Sequence, residues 1–165
     1  MLKISPDQGQ ASGLGSPTSL VVTRRVTFAA AHVLRRPDWD ERRNQDVFGQ
    51  CAGDHGHNYV LEVSVGGEPD LETGMVINLK DLDRTVKEAV VRHVDHRHLN
   101  HDVPFLAGVI PTAENLALAF WQQLDGPLGE GRLRRLRLAR RAPLRRSISP
   151  ATGCRSSPKT GATGW

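Results

Sequence analysis

The chain has 165 residues, of which 38% are hydrophobic and 24% charged, as is usual for one globular domain. No apolar run approaches the roughly 20 residues that span a bilayer, and the N-terminus lacks the apolar centre of a secretory signal. Because Cys51 and Cys154 are far apart, a disulfide framework is not expected. We therefore expect a cytoplasmic protein with no membrane association.

The net charge of +4 is distributed unevenly along the chain. Ten of the 22 Lys and Arg residues and none of the 18 Asp and Glu residues lie from Arg132 onward, so residues 1–131 carry a net charge of −6. A basic tail is one basis for nucleic-acid binding. This one has no interleaved aromatic residues and no recognisable binding module, so nucleic acid is not the expected partner.

The first half of the chain predicts a leader and two strands. Residues 1–19 are rich in Gly, Ser, Pro and Gln and are predicted to be disordered. Residues 20–32 are rich in β-branched side chains, which predicts a strand that ends near His32. After a polar connection broken by proline, residues 57–68 alternate with period two and stop at a Gly-Gly turn, which predicts the second strand.

Helices follow in the second half. Apolar residues at helical spacing predict a helix from about Leu79 to Val94, and Thr112 is a suitable N-cap for another. Residues 133–138 predict a third strand, and residues 139–165, which contain no acid and no periodicity, are predicted to be a disordered basic tail. The order β, β, α, α, β between residues 20 and 138 predicts one α+β domain.

The segment QCAGDHGHNY contains the first candidate site. In an extended segment, His55 and His57 lie on the same face, and a neighbouring strand could bring His32 beside them. Three imidazoles with an open fourth position are typical of catalytic zinc, whereas the alternative is a pair of polar loop residues. Cys51 could then be a fourth ligand of a closed structural site, or a free thiol that acts as a base or nucleophile.

A second cluster, HVDHRHLNH, lies where the first helix ends. Histidines there could simply complement the helix dipole. Alternatively, Asp95 and His96 could relay a proton. Adjacent residues seldom hydrogen-bond to each other well, so this pair is expected to act jointly on a third group.

Five motifs in this order, FAAAH, CAGDHGHNY, GMVINLKDLD, VDHRHLN and PTAENLA, resemble the 6-pyruvoyltetrahydropterin synthase family, which includes the 6-carboxytetrahydropterin synthases of queuosine biosynthesis. The resemblance covers about residues 21–138. It implies the tunnelling fold, an antiparallel sheet with two helices on one face. Trimers would close the sheets into a barrel, and a dimer of trimers would form a homo-oligomeric hexamer with active sites at subunit interfaces.

The resemblance also implies roles for individual residues. By motif, three histidines match the ligands of Zn2+, Cys51 matches the general base, and Asp95 with His96 matches a relay pair that approaches from a neighbouring subunit. Thr112 and Glu114 match residues that hold the pterin. The metal ligands so implied are His32, His55 and His57. The implied reaction is loss of triphosphate from 7,8-dihydroneopterin triphosphate.

Two features bear on which branch of the family the chain resembles, the carboxy or the pyruvoyl enzymes, and on whether the chain is active. The short gap between Cys51 and His55 resembles in length the gap in the carboxy enzymes. This favours the carboxy branch over the pyruvoyl enzymes of tetrahydrobiopterin biosynthesis. The family pattern also has an E-T-x-x-N-like segment after the third strand, with a glutamate that anchors the pterin. This chain has Ala139-Arg140-Arg141 there and no acid beyond Glu130, so an inactive zinc-binding relative is an alternative. One hypothesis for the tail is an out-of-frame reading of a GC-rich gene.

Overall fold

The structure is a computed structural model that describes residues 20–140; the predicted leader (1–19) and residues 141–165 of the predicted tail lie outside the described residues. The elements are, in chain order, β1 (Leu20–His32), α1 (Glu41–Phe48), β2 (His55–Gly67), α2 (residues 79–94), β3 (Arg97–His98), α3 (Ala113–Leu128) and β4 (Leu133–Arg140). The predicted α+β class is confirmed.

One sheet, in the order β3-β1-β2-β4, organises the domain. β1 pairs with β2 antiparallel along all of its residues, and β2 pairs antiparallel with β4. The two-residue strand β3 joins the other edge parallel to β1. The antiparallel sheet implied by the resemblance is therefore confirmed for the three long strands, and the short parallel strand is an addition that the sequence pattern does not predict.

The sheet buries one face against the two long helices, as the resemblance implies. Period-two alternation places Phe28 of β1 and Tyr59 and Leu61 of β2 on that face, each with no more than 4% of its surface exposed. Phe120 of α3 packs edge-on against the ring of Phe28, with centroids 6.0 Å apart. Burial of this apolar face supplies the main stabilisation of the domain.

Helix α2 is continuous but contains a π turn. An α-helical part, Leu79–Val86, is followed by the π turn Lys87–Val91 and a last α-helical turn, Arg92–Val94. The buried residues recur every four positions, which in a regular α-helix would drift by about 40° per step. The wider π turn reduces this drift and keeps the apolar row on the sheet. These buried residues are Leu82, Val86, Val90 and Val94, whereas Leu79, predicted on the same face, is 56% exposed.

Helix α1 lies in the connection that the sequence predicts to be irregular. Its residues are almost all polar and exposed, so no apolar period marks it. Two local interactions hold it: the Asp40 carboxylate caps its start by accepting from the Arg43 N–H, and Asn44 is buried inside the loop. The Asn44 side chain accepts from the Arg36 N–H and donates to three backbone carbonyls, including that of Trp39.

No helix in the described part of the chain is long and apolar enough to cross a membrane.

We predict that Asn44→Ala lowers the free energy of unfolding by about 1–3 kcal/mol, because it leaves buried backbone groups of the loop without hydrogen-bond partners. Chemical denaturation measures this change. The matched control is Gln45→Ala, which removes the adjacent, exposed amide of the same helix and should change stability by about 0.5 kcal/mol or less. Equal effects of the two substitutions would contradict the structural role of Asn44.

Candidate active site at a histidine triad

Strand register brings three histidines together at one end of the sheet. His32, the last residue of β1, lies directly opposite His55, the first residue of β2. His57 follows two residues later and therefore shares the face of His55. The ring centroid of His32 lies 4.6 Å from that of His55 and 5.2 Å from that of His57. The predicted convergence of the two strand ends is thus present in the structure.

The ring nitrogens of this triad have the spacing of metal ligands. One nitrogen from each ring lies within 4.8 Å of the others. The Nε2 atoms of His32 and His55 are 3.1 Å apart. Because zinc–imidazole bonds are about 2.0–2.1 Å and structural and catalytic zinc sites are tetrahedral, ligand nitrogens on one zinc ion are about 3.3 Å apart. The observed spacing fits a zinc ion.

Backbone carbonyls fix the direction in which two of these rings present their lone pairs. His32 donates its Nδ1–H to the Pro111 carbonyl at 3.0 Å, and His55 donates its Nδ1–H to the Gly53 carbonyl at 2.9 Å. In the neutral form of both rings, the two Nε2 lone pairs would face each other across 3.1 Å, which is repulsive unless a cation lies between them. Carbonyl-oriented imidazoles of this kind are typical of metal ligands. The donor set fits a divalent metal.

Burial keeps His32 neutral. The ring is 3% exposed, and this burial lowers the pKa of His32 to about 4, although the hydrogen bond to Pro111 opposes the shift. The pKa of His57 is also lowered, by burial and then by the nearby guanidinium of Arg140. At neutral pH protons therefore do not compete for these two rings, which leaves them available to a metal ion.

Two residues beside the triad are not predicted from the sequence. Arg140 ends β4, and its Nη1 lies 3.2 Å from Nε2 of His57. Tyr59 is 1% exposed, its ring stacks on Phe28 with centroids 4.9 Å apart, and its hydroxyl has no hydrogen-bond partner within residues 20–140. Burial raises the pKa of the Tyr59 hydroxyl to about 12, so it is a neutral donor. The sequence carries no signal for Arg140, because it stands where the alternation of Leu136 and Leu138 would place another apolar residue.

Cys51 lies near the triad but outside it. The thiol is free and half-buried in the 3-10 turn Gly49–Ala52 that leads into β2. The Cys51 carbonyl accepts from the N–H of Leu34, which ties this turn to the chain just after His32. In the described part of the chain, the group whose atoms are close enough to share a metal consists of the three histidines without Cys51. Its role as a base remains a prediction.

Asp95 and His96 lie close to each other, as a pair that could act jointly on a third group would. Nδ1 of His96 lies 3.1 Å from Oδ1 of Asp95. His96 has φ of 56°, in the left-handed region that non-glycine residues seldom adopt. The Asp95 carboxylate also accepts from the Ala29 N–H, and the His96 N–H donates to the Ala29 carbonyl. The pair is fixed to β1, and His96 is exposed at an open groove.

Thr112 and Glu114 lie at the start of α3, next to the triad. The Thr112 hydroxyl caps the helix by accepting from the Asn115 N–H at 3.2 Å. Glu114 is exposed in the first turn. The preceding carbonyl, that of Pro111, accepts from Nδ1 of His32. The two predicted substrate residues are thus beside the metal-ligand cluster, and their contact with a pterin stays a prediction.

Comparison with known proteins identifies the family. The family model described as 6-pyruvoyl tetrahydropterin synthase matches residues 21–145, which is most of the chain. The chain belongs to this family. The resemblance predicted from the five motifs is therefore confirmed, and the match extends a few residues past the predicted end of the domain at residue 138.

Individual relatives agree with this assignment. The 6-pyruvoyl tetrahydrobiopterin synthase of Pongo abelii is 40% identical over 129 residues, which are 77% of this chain and 89% of the relative. A dihydroneopterin monophosphate aldolase of Pyrococcus furiosus is 34% identical over 69% of this chain and 83% of its own length. The structure of the Caenorhabditis elegans 6-pyruvoyl tetrahydropterin synthase superposes with a TM-score of 0.64 at 26% identity, covering 78% of this chain and 100% of that one.

These relatives correct the expected branch. The short gap between Cys51 and His55 favours the carboxy enzymes, but the relative at 40% identity is named a 6-pyruvoyl enzyme. The gap reflects the length of one turn, residues 52–54, whereas the identity is spread over 129 residues. The pyruvoyl alternative is therefore better supported than the carboxy interpretation.

We predict that burial of His32 lowers the free energy of unfolding of the metal-free protein by about 2–3 kcal/mol as the pH drops from 6.5 to 4. The unfolded chain binds a proton at His32 near pH 6.5, whereas the folded chain resists it until about pH 4, so acid favours unfolding. Urea denaturation at several pH values in the presence of a chelator measures this slope.

The comparison variants for this slope are two substitutions of histidine. His32→Asn should remove more than half of the slope, and His93→Asn, at an exposed position late in α2, should leave it unchanged. If the unfolding free energy of His32→Asn depended on pH as steeply as that of the wild type, burial of His32 would not be the cause of the pH dependence.

Proposed function

We propose that the chain is a zinc-dependent lyase of the 6-pyruvoyl type, which eliminates triphosphate from 7,8-dihydroneopterin triphosphate. The observation that carries the proposal is the histidine triad, in which one ring nitrogen of each residue converges on the others in a chain of this family. Zinc is supported as the metal by the three-imidazole donor set, which leaves a fourth position for a substrate. The pyruvoyl product is supported by the name of the Pongo abelii relative, a 6-pyruvoyl tetrahydrobiopterin synthase.

The triad would hold the metal through His32, His55 and His57. When bound, zinc supplies Lewis-acid stabilisation of negative charge that develops on the oxygens of the substrate side chain. The protein contributes the orientation of the ligands: the Pro111 and Gly53 carbonyls hold two rings in the tautomer that presents Nε2.

Cys51 would be the general base that removes the proton from the substrate side-chain carbon. A thiolate is required for this step, and a nearby metal and imidazoles favour thiolate formation. The turn that carries Cys51 leads directly into His55, so base and metal ligands are placed by the same short segment. Loss of the C–H proton then allows the C–O bond to the triphosphate to break.

Asp95 and His96 would return the proton. The Asp95 carboxylate lies beside Nδ1 of His96 and would stabilise the protonated ring, so that Nε2 can donate. The family resemblance implies that this pair serves the Cys51 of a neighbouring subunit in a hexameric dimer of trimers. The exposure of His96, with 82% of its side chain accessible, is compatible with such a shared site.

Thr112 and Glu114 would contact the pterin ring. Their position at the start of α3 is supported by the Pro111 carbonyl, which ties that helix end to His32. The absence of any acid after Glu130 removes the glutamate that the family pattern uses to anchor the pterin. A metal-binding relative without activity is therefore the second candidate, and we expect a cytoplasmic location in either case.

We predict that zinc-loaded protein releases triphosphate from 7,8-dihydroneopterin triphosphate, and that Cys51→Ala lowers the rate at least about a hundredfold, as expected for loss of a general base, while it retains zinc. Triphosphate release and zinc content are measured on the same sample, and the product is identified to distinguish the pyruvoyl from the carboxy branch.

The control for Cys51→Ala is Cys154→Ala, which removes the other thiol of the chain and should not reduce the rate. Loss of zinc in Cys51→Ala would instead make Cys51 a structural ligand. No release by wild-type protein that contains zinc would favour the inactive relative.

A further inference from the structure

The position of Arg140 adds a second cation beside the histidine triad. Arg140 is the last residue of β4 and lies directly opposite Tyr59 in the antiparallel pair β2–β4. That register places it on the same face as His57, two residues away on β2. The contact between Nη1 of Arg140 and Nε2 of His57 is 3.2 Å long.

The chemistry of this contact determines the state of His57. A guanidinium is protonated at all accessible pH values and only donates hydrogen bonds, so Nε2 of His57 must be the acceptor and must carry a lone pair. The proton of the neutral ring is then on Nδ1. Arg140 therefore uses the lone pair with which this histidine would bind a metal.

A metal ion and Arg140 cannot both use a neutral His57. If the metal binds Nε2, it takes the lone pair that accepts from Arg140. If the metal binds Nδ1, the proton of the neutral ring is on Nε2, which then cannot accept. Metal binding thus breaks the contact with Arg140 whichever ring nitrogen is the ligand.

The charge of Arg140 acts in the same direction. No carboxylate lies within 4 Å of its guanidinium among residues 20–140, whereas Arg137 on the same strand lies 3.5 Å from Glu62. An uncompensated positive charge beside the triad repels a divalent cation.

We propose that Arg140 is an internal competitor of the metal at His57, which weakens metal binding by the triad and is displaced when the metal binds. The inference rests on the proposed function only in its assumption that the triad binds a metal. It concerns this chain's own strand end and predicts a measurable affinity difference without any turnover.

The test is a competition titration of zinc against a chromophoric chelator. Arg140→Gln removes the charge and should tighten zinc binding at least about tenfold, which corresponds to about 1.4 kcal/mol. Arg140→Lys keeps the charge but not the planar guanidinium, and its affinity should fall between those of the wild type and Arg140→Gln. The matched control is Arg137→Gln, which should bind zinc within about twofold of the wild type.

The outcomes separate this inference from the proposed function. Equal zinc affinity of the wild type and Arg140→Gln, or weaker binding by the variant, would overturn the competition while leaving the metal site intact. Failure of both proteins to bind zinc would overturn both the competition and the proposed function. Binding by Arg140→Gln alone would be the strongest form of the expected result.

Discussion

The register between β1 and β2 is the constraint on which the site depends. It pairs His32 with His55, so the two histidines that end and begin these strands meet on one face. A slip by one residue would send His55 and His57 to the opposite face from His32. The same register stacks Tyr59 on Phe28 in the core, so the apolar alternation that stabilises the sheet also fixes the geometry of the triad.

The site lies at the boundary between the apolar core and solvent, and this position explains its electrostatics. His32 is buried and is held neutral by its surroundings, while its Nδ1–H finds a partner in the Pro111 carbonyl at the start of α3. The helix cap, the strand end and the candidate metal ligand are therefore one hydrogen-bonded unit.

Much of this arrangement can be predicted from the sequence, because strand alternation and helical spacing are local patterns. The two-residue spacing of His55 and His57, together with His32 at a strand end, is sufficient to predict their convergence. Helix α1 cannot be found this way, since it is polar and is held by the buried amide of Asn44. Its stabilisation is specific to one loop and leaves no periodic signal.

Two features of the site depend on backbone geometry that the residue types do not reveal. The close approach of Asp95 and His96 occurs where His96 adopts the left-handed conformation, which a sequence pattern does not indicate. The contact of Arg140 with His57 requires β4 to continue two residues beyond Leu138, where the composition already resembles that of the basic tail. The roles of these residues are accordingly proposals that rest on the structure.

The most direct test of the account is the absorption spectrum of the cobalt-substituted protein. The account predicts one cobalt ion per chain, visible bands of a tetrahedral site, and no intense thiolate-to-cobalt charge-transfer band, because three imidazoles and no cysteine bind the metal. A strong thiolate band that is lost in Cys51→Ala would place Cys51 among the ligands and contradict its role as a base. Failure to bind a stoichiometric metal ion would contradict the histidine triad as a metal centre.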